Sequence, residues 1–310
     1  MLDLTQLQLD DVQGVGTIAL DLEPSKQAYV FIGSNGVGKT KLLEALFNKI
    51  KMQRIKSLKD FFDSDKIQIK FPCSELITTN DRGHFAKGSK KQDELRTWII
   101  ESASLSSVFQ RSKNNREREL KTLLKCLNDI DPSYDRNFLE VDEKGHIFLL
   151  INQKEKELSE LSTGFVSIFK ILTEIISRYG QELNDIEIQN VEGIVLIDEI
   201  ESHLHLEWQV KIIPTLKKLF PNTTFFIATH SPLVLSQLED GEAYELRRDE
   251  DDVVRTHKIK NPGNTAMIDL LKTAFNIDLN RLALDRPISA TQQKARTALL
   301  ERMKIRRVAQ

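Results

Sequence analysis

A glycine-rich segment near the N-terminus has the composition and spacing of a phosphate-binding loop. Residues 33–40 read Gly-Ser-Asn-Gly-Val-Gly-Lys-Thr and match G-x-x-x-x-G-K-[ST] at every position. Glycines let main-chain N–H groups turn towards phosphates, and a helix that begins near Lys39 adds the positive end of its dipole. In this motif Lys39 reaches the β- and γ-phosphates, and the Thr40 hydroxyl binds Mg²⁺. The predicted nucleotide-binding residues of the loop are Ser34, Asn35, Gly36, Val37, Gly38, Lys39 and Thr40.

Two carboxylates follow a continuous apolar run of strand length. Residues 194–197 are Ile-Val-Leu-Ile, and Asp198 and Glu199 come directly after them. A carboxylate at the tip of a buried strand can hold the Mg²⁺ shell, and the next carboxylate can polarise an attacking water. Such pairs are common at strand ends, so this one gains weight only beside a phosphate loop. We predict Asp198, together with Thr40, as a Mg²⁺ ligand and Glu199 as a catalytic base.

A histidine follows a second apolar run. Residues 224–228 are strand-like, and His230 lies 31 residues after Glu199. That separation leaves room for one helix between two adjacent parallel strands, so the two strand ends are predicted to be neighbours. A neutral imidazole there could bind a γ-phosphate oxygen or the attacking water. We therefore predict a catalytic role for His230 rather than a purely structural one.

A short Leu-Ser-Thr-Gly segment, residues 161–164, precedes an apolar helix predicted at 166–176. On its own it is weak evidence, because Ser before a helix is an ordinary N-terminal cap. The order of the features is more specific. A phosphate loop, Leu-Ser-x-Gly, an Asp-Glu pair and a strand-end histidine follow one another in the ABC ATPases, which this chain resembles. We therefore add Ser162 and Gly164 to the predicted nucleotide-binding residues.

The elements that position these residues follow from hydrophobic periodicity. Residues 4–31 largely alternate apolar and polar positions, which predicts an antiparallel β flap. Continuous apolar runs at 28–32, 193–197 and 224–228 predict strands that are buried on both faces. Because these strands alternate with helices, we predict an α/β fold. Together with the resemblance noted above, this implies a P-loop NTPase of the ABC-ATPase type, with a mostly parallel sheet, the N-terminal flap and a helical lid insertion.

A polar stretch rich in lysine and arginine interrupts this core. We assign the ATPase core to residues 1–50 and 151–240, the lid insertion to 51–150, and a C-terminal strand with a basic helical tail to 241–310. The basic lid and tail indicate either contacts with DNA phosphates or the docking of an acidic partner. The alternative is that they are ordinary solvated helical faces.

The composition excludes several classes of protein. The 310 residues carry a formal net charge of −2, unlike a strongly basic nucleic-acid-binding protein. No apolar run approaches the ~20 residues that span a bilayer, and a secretory signal is not recognisable. Two cysteines, Cys73 and Cys126, cannot form a disulfide framework or a four-ligand zinc site. We expect a cytoplasmic protein without membrane association.

Within the ABC class, the chain resembles the OLD/RecF-like branch of soluble ATP-binding proteins in DNA repair and bacterial anti-phage defence. The segments that carry the likeness are 33–40, 161–165, 196–205, 208–209 and 228–232. The resemblance implies ATP and Mg²⁺, and a homodimer or higher oligomer in which Ser162 and Gly164 contact the partner's ATP. It also implies that Glu201, Ser202 and His203 form a loop facing the partner.

The chain departs from this family in two respects. No glutamine occurs where the family's Q-loop is expected, so that role is unassigned. The residues after Asp240 lack the acidic pattern of a TOPRIM nuclease domain, and residues 249–252 are interpreted as a solvated turn. We therefore expect any effector to be a separate polypeptide, with a nuclease as the first candidate.

Three functions stay open at this point. The first is an ATPase switch or engine for that effector. The second is a scaffold that binds ATP, turns it over slowly and sequesters a toxic effector. The third, the ATPase subunit of a transporter, is disfavoured by the His-Leu-His segment at 203–205. His203 and His205 with Glu201 are also a weaker candidate for a transition-metal site.

Overall fold

The structure is a computed structural model that describes residues 5–62, 76–79, 88–105, 116–180, 187–202 and 204–275. Its strands are β1 (Gln6–Val12), β2 (Gly16–Asp21), β3 (Ala28–Ile32), β4 (Leu76–Thr79), β5 (Tyr134–Val141), β6 (Ile147–Ile151), β7 (Lys154–Glu157), β8 (Gly193–Ile197), β9 (Thr223–Ala228), β10 (Ala243–Arg248) and β11 (Val254–Lys258). Its α-helices are α1 (Lys39–Phe62), α2 (Gly88–Leu105), α3 (Arg116–Ile130), α4 (Thr163–Gly180), α5 (Leu206–Leu219), α6 (Pro232–Leu235) and α7 (Met267–Phe275).

Five neighbouring strands at one end of the large sheet run parallel. The sheet has the order β1-β2-β11-β10-β3-β9-β8-β4, and each neighbouring pair from β10 to β4 is parallel. All five residues of β3 are buried, as expected for a strand covered on both faces. The direct pairing of β8 with β9 confirms that their ends are neighbours.

The other half of the large sheet is an antiparallel flap. β1 pairs antiparallel with β2, and β10 pairs antiparallel with β11. A parallel pairing of β2 with β11 joins these two hairpins. The predicted α/β fold with a mostly parallel sheet and an N-terminal flap is confirmed. The flap also contains β10 and β11, which come from the C-terminal part of the chain. β10 connects the flap to the rest of the sheet, because it pairs parallel with β3.

The stretch 51–150, predicted as a helical insertion, contains strands as well as helices. β4 lies at the edge of the large sheet, where it pairs parallel with β8. β5 and β6 form a separate antiparallel sheet with β7. Alternating burial explains the position of β6, whose residues Ile147, Leu149 and Ile151 are buried. The division into core and insertion stays a prediction.

Apolar side chains cover both faces of the large sheet. On one face, α4 packs Ile168, Phe169 and Leu172 into the larger cluster of buried residues. On the other, α1 contributes Leu42 and Leu46, both fully buried. Burial of each such side chain contributes roughly 1.5–3 kcal/mol, so the two helices are held firmly against the strands between them.

The small sheet is attached to the start of α4 through an aromatic stack. The rings of Tyr134 on β5 and Phe165 on α4 lie 4.7 Å apart with an interplanar angle of 4°.

Cys126 on α3 is a buried free thiol, as predicted, and burial raises its pKa to about 12. Cys73 lies outside the described residues. Among the described helices, none has the length and apolarity needed to cross a membrane.

Candidate nucleotide-binding site

Three of the predicted motifs meet at one edge of the parallel sheet. The phosphate loop follows β3, Asp198 and Glu199 follow β8, and His230 comes two residues after β9. β9 lies between the other two strands and pairs parallel with both. Because parallel strands place their carboxyl ends at the same edge, the chain brings the motifs together from three separate segments.

The phosphate loop is closed around the ammonium group of Lys39. This group donates hydrogen bonds to the carbonyl oxygens of Gly33 at 2.8 Å and of Ser34 at 3.1 Å. The Lys39 side chain is buried, since the residue is only 7% exposed. A buried ammonium needs such partners, and an anion entering the loop would meet both the charge and the N-terminus of α1.

Two glycines of the loop lie where a side chain has no room. A Cβ atom at Gly33 would lie 2.6 Å from the carbonyl oxygen of Leu246 on β10. At Gly38 it would lie 2.8 Å from the Val15 side chain in the turn between β1 and β2. Both have positive φ, 153° and 109° respectively, which favours glycine. The flap thus packs directly on the loop and fixes its shape.

Thr40 and Asp198 are joined although 158 residues separate them. The Thr40 hydroxyl donates to Asp198 Oδ2 at 2.7 Å, which places two oxygen atoms side by side at the mouth of the loop. Hydroxyl and carboxylate oxygens are the hard donors that Mg²⁺ prefers. Thr40 and Asp198 are the two residues that the sequence predicts as Mg²⁺ ligands, and their oxygen atoms fit that ion.

Glu199 has an unusual backbone conformation. Its φ is 51°, in the left-handed region that a glutamate rarely adopts. The side chain is exposed at the sheet edge, and its Oε2 accepts a weak hydrogen bond from the Ser202 hydroxyl at 3.3 Å. Strained residues cluster at functional sites, where surrounding structure holds them in place. The two carboxylates have different partners, since Asp198 accepts from Thr40 and Glu199 from Ser202.

His230 is held by its main chain rather than by its ring. Its N–H donates to Glu201 Oε1 at 2.5 Å, while the imidazole is exposed at the sheet edge. Glu201 Oε2 accepts a hydrogen bond from the Thr229 hydroxyl at 2.6 Å. The sequence analysis did not foresee this contact. The sequence offered one signal for it. Glu201 is a third carboxylate, two residues after Glu199, and Thr229 and His230 follow the neighbouring strand.

The carboxylate of Glu201 binds residues 229 and 230 of its own chain. The expectation that Glu201 also lies in a loop facing a partner stays a prediction. His203 lies outside the described residues, so the rest of that loop is untested. Both oxygens of Glu201 are engaged, and no group of three metal-binding side chains occurs within the described ranges. Because the transition-metal hypothesis includes His203, it stays untested.

Ser162 directly precedes α4, and Gly164 lies in the first turn of this helix. The Ser162 hydroxyl accepts from the Phe165 N–H at 3.3 Å and caps the helix. Gly164 is buried against α5, where a Cβ atom would lie 3.2 Å from the Cβ of His205. In the part of the chain that the structure describes, no hydrogen bond joins either residue to the loop.

The fold and the phosphate loop together define a P-loop nucleotide-binding fold, and this fold is similar to that of an SMC head. A solved structure of an SMC head bound to the C-winged helix domain of ScpA superposes with a TM-score of 0.50. The alignment covers 83% of this chain and 98% of that one at 13% identity, so it shows the fold alone.

Residues 75–236 match the family described as "AAA domain, putative AbiEii toxin, Type IV TA system". The chain belongs to this family. The match begins after the phosphate loop and includes the Ser162 segment, Asp198, Glu199 and His230. Membership of the OLD/RecF-like branch and the lack of a TOPRIM domain stay predictions.

Two curated proteins are similar in sequence. The Septu protein PtuA of Bacillus mycoides (strain KBAB4) is 25% identical over 88% of this chain and 44% of its own length. The "Retron Vc95 probable ATPase" of Vibrio cholerae serotype O1 biovar El Tor is 27% identical over 57% of this chain and 36% of its own. The chain thus spans less than half the length of both relatives.

Proposed function

We propose that this protein binds and hydrolyses ATP, forms a head-to-tail dimer on ATP, and acts as a switch or engine for a separate effector. One observation carries the proposal: the phosphate loop, the Asp198–Glu199 pair and His230 stand at the ends of three adjacent parallel strands. The interior of the sheet fixes these ends, so they offer a preorganised site for a triphosphate.

Each residue of the site has a distinct task in this proposal. Lys39 and the N–H groups of the loop bind the β- and γ-phosphates. Thr40 and Asp198 would hold Mg²⁺, which supplies charge neutralisation on phosphate oxygens when bound. Glu199 polarises the attacking water, and the exposed imidazole of His230 donates to a γ-phosphate oxygen. The strained turn at Glu199 aims its carboxylate at solvent, where a water molecule can reach it.

The dimer accounts for the exposed position of Ser162. The hydroxyl stands at the N-terminus of an 18-residue helix, where the helix dipole favours an anion. Among the described residues the Ser162 hydroxyl makes no hydrogen bond to the phosphate loop of its own chain, and its proposed ligand is the γ-phosphate bound to a second copy. Gly164 allows the close packing of this helix start against α5.

The biological setting follows from the relatives. The similar proteins include a Septu protein and a retron ATPase, which supports a role in anti-phage defence, with DNA repair as the second setting. We propose that the effector is a separate protein, with a nuclease as the first candidate. Contact with DNA through the basic lid or tail belongs to the same proposal.

The first test is the oligomeric state of Glu199→Gln with and without Mg-ATP. The amide keeps the shape of the side chain but removes its basicity, so ATP should be bound and not hydrolysed. Size-exclusion chromatography with light scattering should show a stable ATP-dependent dimer for this variant and a transient one for the wild type. Glu192→Gln is the matched control, because Glu192 is exposed at the opposite end of β8.

A second variant tests the contribution across the dimer. Ser162→Asp keeps a good N-terminal cap for α4 but places a negative charge against the partner's γ-phosphate. We expect ATP binding to persist while the dimer and hydrolysis are lost. Ser159→Asp, an equally exposed serine three residues earlier, should change neither. A Ser162→Asp protein that dimerises and hydrolyses ATP normally would exclude the shared site.

A further inference from the structure

We propose that Glu201 is a positioning residue for hydrolysis, and that it acts through His230. Its carboxylate ties the segment after β8 to the segment after β9, and so determines where the imidazole of His230 stands. The inference rests on the proposed function, because it assigns a role in the same ATPase site. No contact of Glu201 with ATP is involved.

Glu201 accepts hydrogen bonds with both of its carboxylate oxygens, and both distances are short. One oxygen of Glu201 accepts the main-chain N–H of His230 at 2.5 Å, and the other accepts the Thr229 hydroxyl at 2.6 Å. Both donors are neutral, and hydrogen bonds to an ionised acceptor are shorter and stronger than neutral ones. One carboxylate therefore binds both the side chain of Thr229 and the main chain of His230.

The contact continues into a closed network. The Thr229 hydroxyl accepts the Ser231 N–H at 3.0 Å, and the Ser231 hydroxyl donates to Gln209 Oε1 at 2.7 Å. The amide group of Gln209 donates in turn to the Leu204 carbonyl oxygen at 3.0 Å. Leu204 belongs to the loop that contains Glu201. The network therefore fastens the strand-end histidine to the loop after β8 and to the start of α5.

The backbone between the two glutamates explains why Glu201 can turn inwards. Ile200 is only 2% exposed, and its N–H donates to the Ala228 carbonyl oxygen at 3.4 Å. Glu199, which has a positive φ, precedes this anchor and is exposed. Glu201 follows the anchor, and its carboxylate reaches the end of β9. A displacement of this loop would move the catalytic carboxylate and the histidine together.

The decisive substitution is Glu201→Gln, which keeps the size of the side chain. An amide has one oxygen in place of two, so it can accept the His230 N–H, but its NH₂ group must donate to the Thr229 hydroxyl instead of accepting from it, and the negative charge is lost. Thr229→Val removes the same hydrogen bond from the other side, and Thr229→Ser keeps the hydroxyl. Glu207→Gln is the control, since Glu207 is exposed on the first turn of α5 and pairs with Lys211.

Two readouts separate positioning from general damage. Steady-state kinetics should show a kcat at least about tenfold lower for Glu201→Gln, with the KM for ATP within twofold, because misplacement of about 1 Å has such effects. Amide hydrogen exchange should become faster at residues 229–231. Thr229→Val should reproduce both changes, whereas Thr229→Ser and Glu207→Gln should behave like the wild type.

A double-mutant cycle with His230→Ala tests whether Glu201 acts through the histidine. The alanine variant keeps the N–H that Glu201 binds but loses the imidazole. We expect Glu201→Gln to lower kcat less than about twofold further in this background. A tenfold further loss, or a rise in KM that matches the loss in turnover, would overturn the positioning role. If Glu201→Gln does not fold, the comparison of Thr229→Val with Thr229→Ser decides.

The exchange experiment keeps this inference separate from the proposed function. A wild-type protein that binds ATP without hydrolysing it would contradict the ATPase proposal. Faster exchange at 229–231 in Glu201→Gln would still support the positioning of His230 in that case. Unchanged exchange, with ATP hydrolysis intact, would overturn the role of Glu201 and leave the ATPase proposal standing.

Discussion

Two acidic segments of this protein look alike in sequence and differ in structure. The nucleotide-edge segment, residues 198–201, follows β8, and the hairpin segment, residues 249–252, joins β10 to β11. The first contains three carboxylates in four residues and the second contains four, and each holds one carboxylate residue with positive φ: Glu199 at 51° and Asp252 at 64°. Neither composition nor local conformation tells them apart.

The partners of the carboxylates distinguish the two segments. In the nucleotide-edge segment, Glu199 and Glu201 accept from hydroxyl groups and a main-chain N–H. In the hairpin segment, Arg255 binds Asp249 and Asp251, with distances of 3.1 and 2.6 Å. Neutral donors orient a carboxylate without cancelling its charge, whereas an arginine neutralises it. The orientation of Glu199 and Glu201 by neutral donors suits a metal-nucleotide site, and the hairpin segment is a solvated turn, as predicted.

The largest expected effect comes from the same substitution made in both segments. Asp198→Asn should lower kcat/KM for Mg-ATP at least about a hundredfold, because it removes the charge that the site directs at the metal. Asp251→Asn should leave turnover within twofold. The measurement is steady-state ATP hydrolysis at several Mg²⁺ concentrations. Equal losses in the two variants would show that partner chemistry does not separate the segments.

Much of the site could be predicted because its motifs are local. The phosphate loop is eight contiguous residues, and the strand ends of β8 and β9 follow from apolar runs whose separation admits one helix. The contact of Glu201 with Thr229 and His230 could not be predicted, since it depends on how two loops approach after folding. The small sheet of β5, β6 and β7 was also missed. Its edge strand β7 reads Lys-Glu-Lys-Glu and carries no apolar signal.

A smaller effect concerns the strained backbone that both segments share. Glu199→Gly should raise the free energy of unfolding by up to ~1 kcal/mol, because glycine adopts positive φ without the steric cost that glutamate bears. Asp252→Gly should not stabilise the protein, since aspartate tolerates this conformation better and the change removes the ion pair with Arg248 at 2.8 Å.

Urea unfolding of both glycine variants against the wild type measures this difference. Glu199→Gly should also lose ATP hydrolysis, so that greater stability and lost activity occur together in one protein. Asp252→Gly should keep its activity. A less stable Glu199→Gly protein would mean that the turn at the nucleotide edge is not strained, and that the two positive-φ residues are equivalent.

The smallest effect is confined to the hairpin segment. The Arg255 guanidinium lowers the pKa of Asp251 to about 2, chiefly through its hydrogen bonds. In Arg255→Ala this pKa should return towards the ordinary value of about 3.9, as measured by NMR titration of the carboxyl carbon. A lowered folded-state pKa stabilises the fold above about pH 4, and this contribution is lost as the pH falls towards 2. The stability difference between wild type and Arg255→Ala should therefore shrink over that interval.

ATP turnover at neutral pH provides the control for the arginine variant. It should be unchanged in Arg255→Ala, since the arginine neutralises carboxylates that take no part in the proposed reaction. High salt should diminish the stability difference, because the pair is exposed and its attraction is screened. If Asp251 titrates alike in both proteins, the arginine is not what distinguishes the hairpin segment. A loss of turnover would instead couple the two acidic segments, and the contrast between them would no longer explain where the site lies.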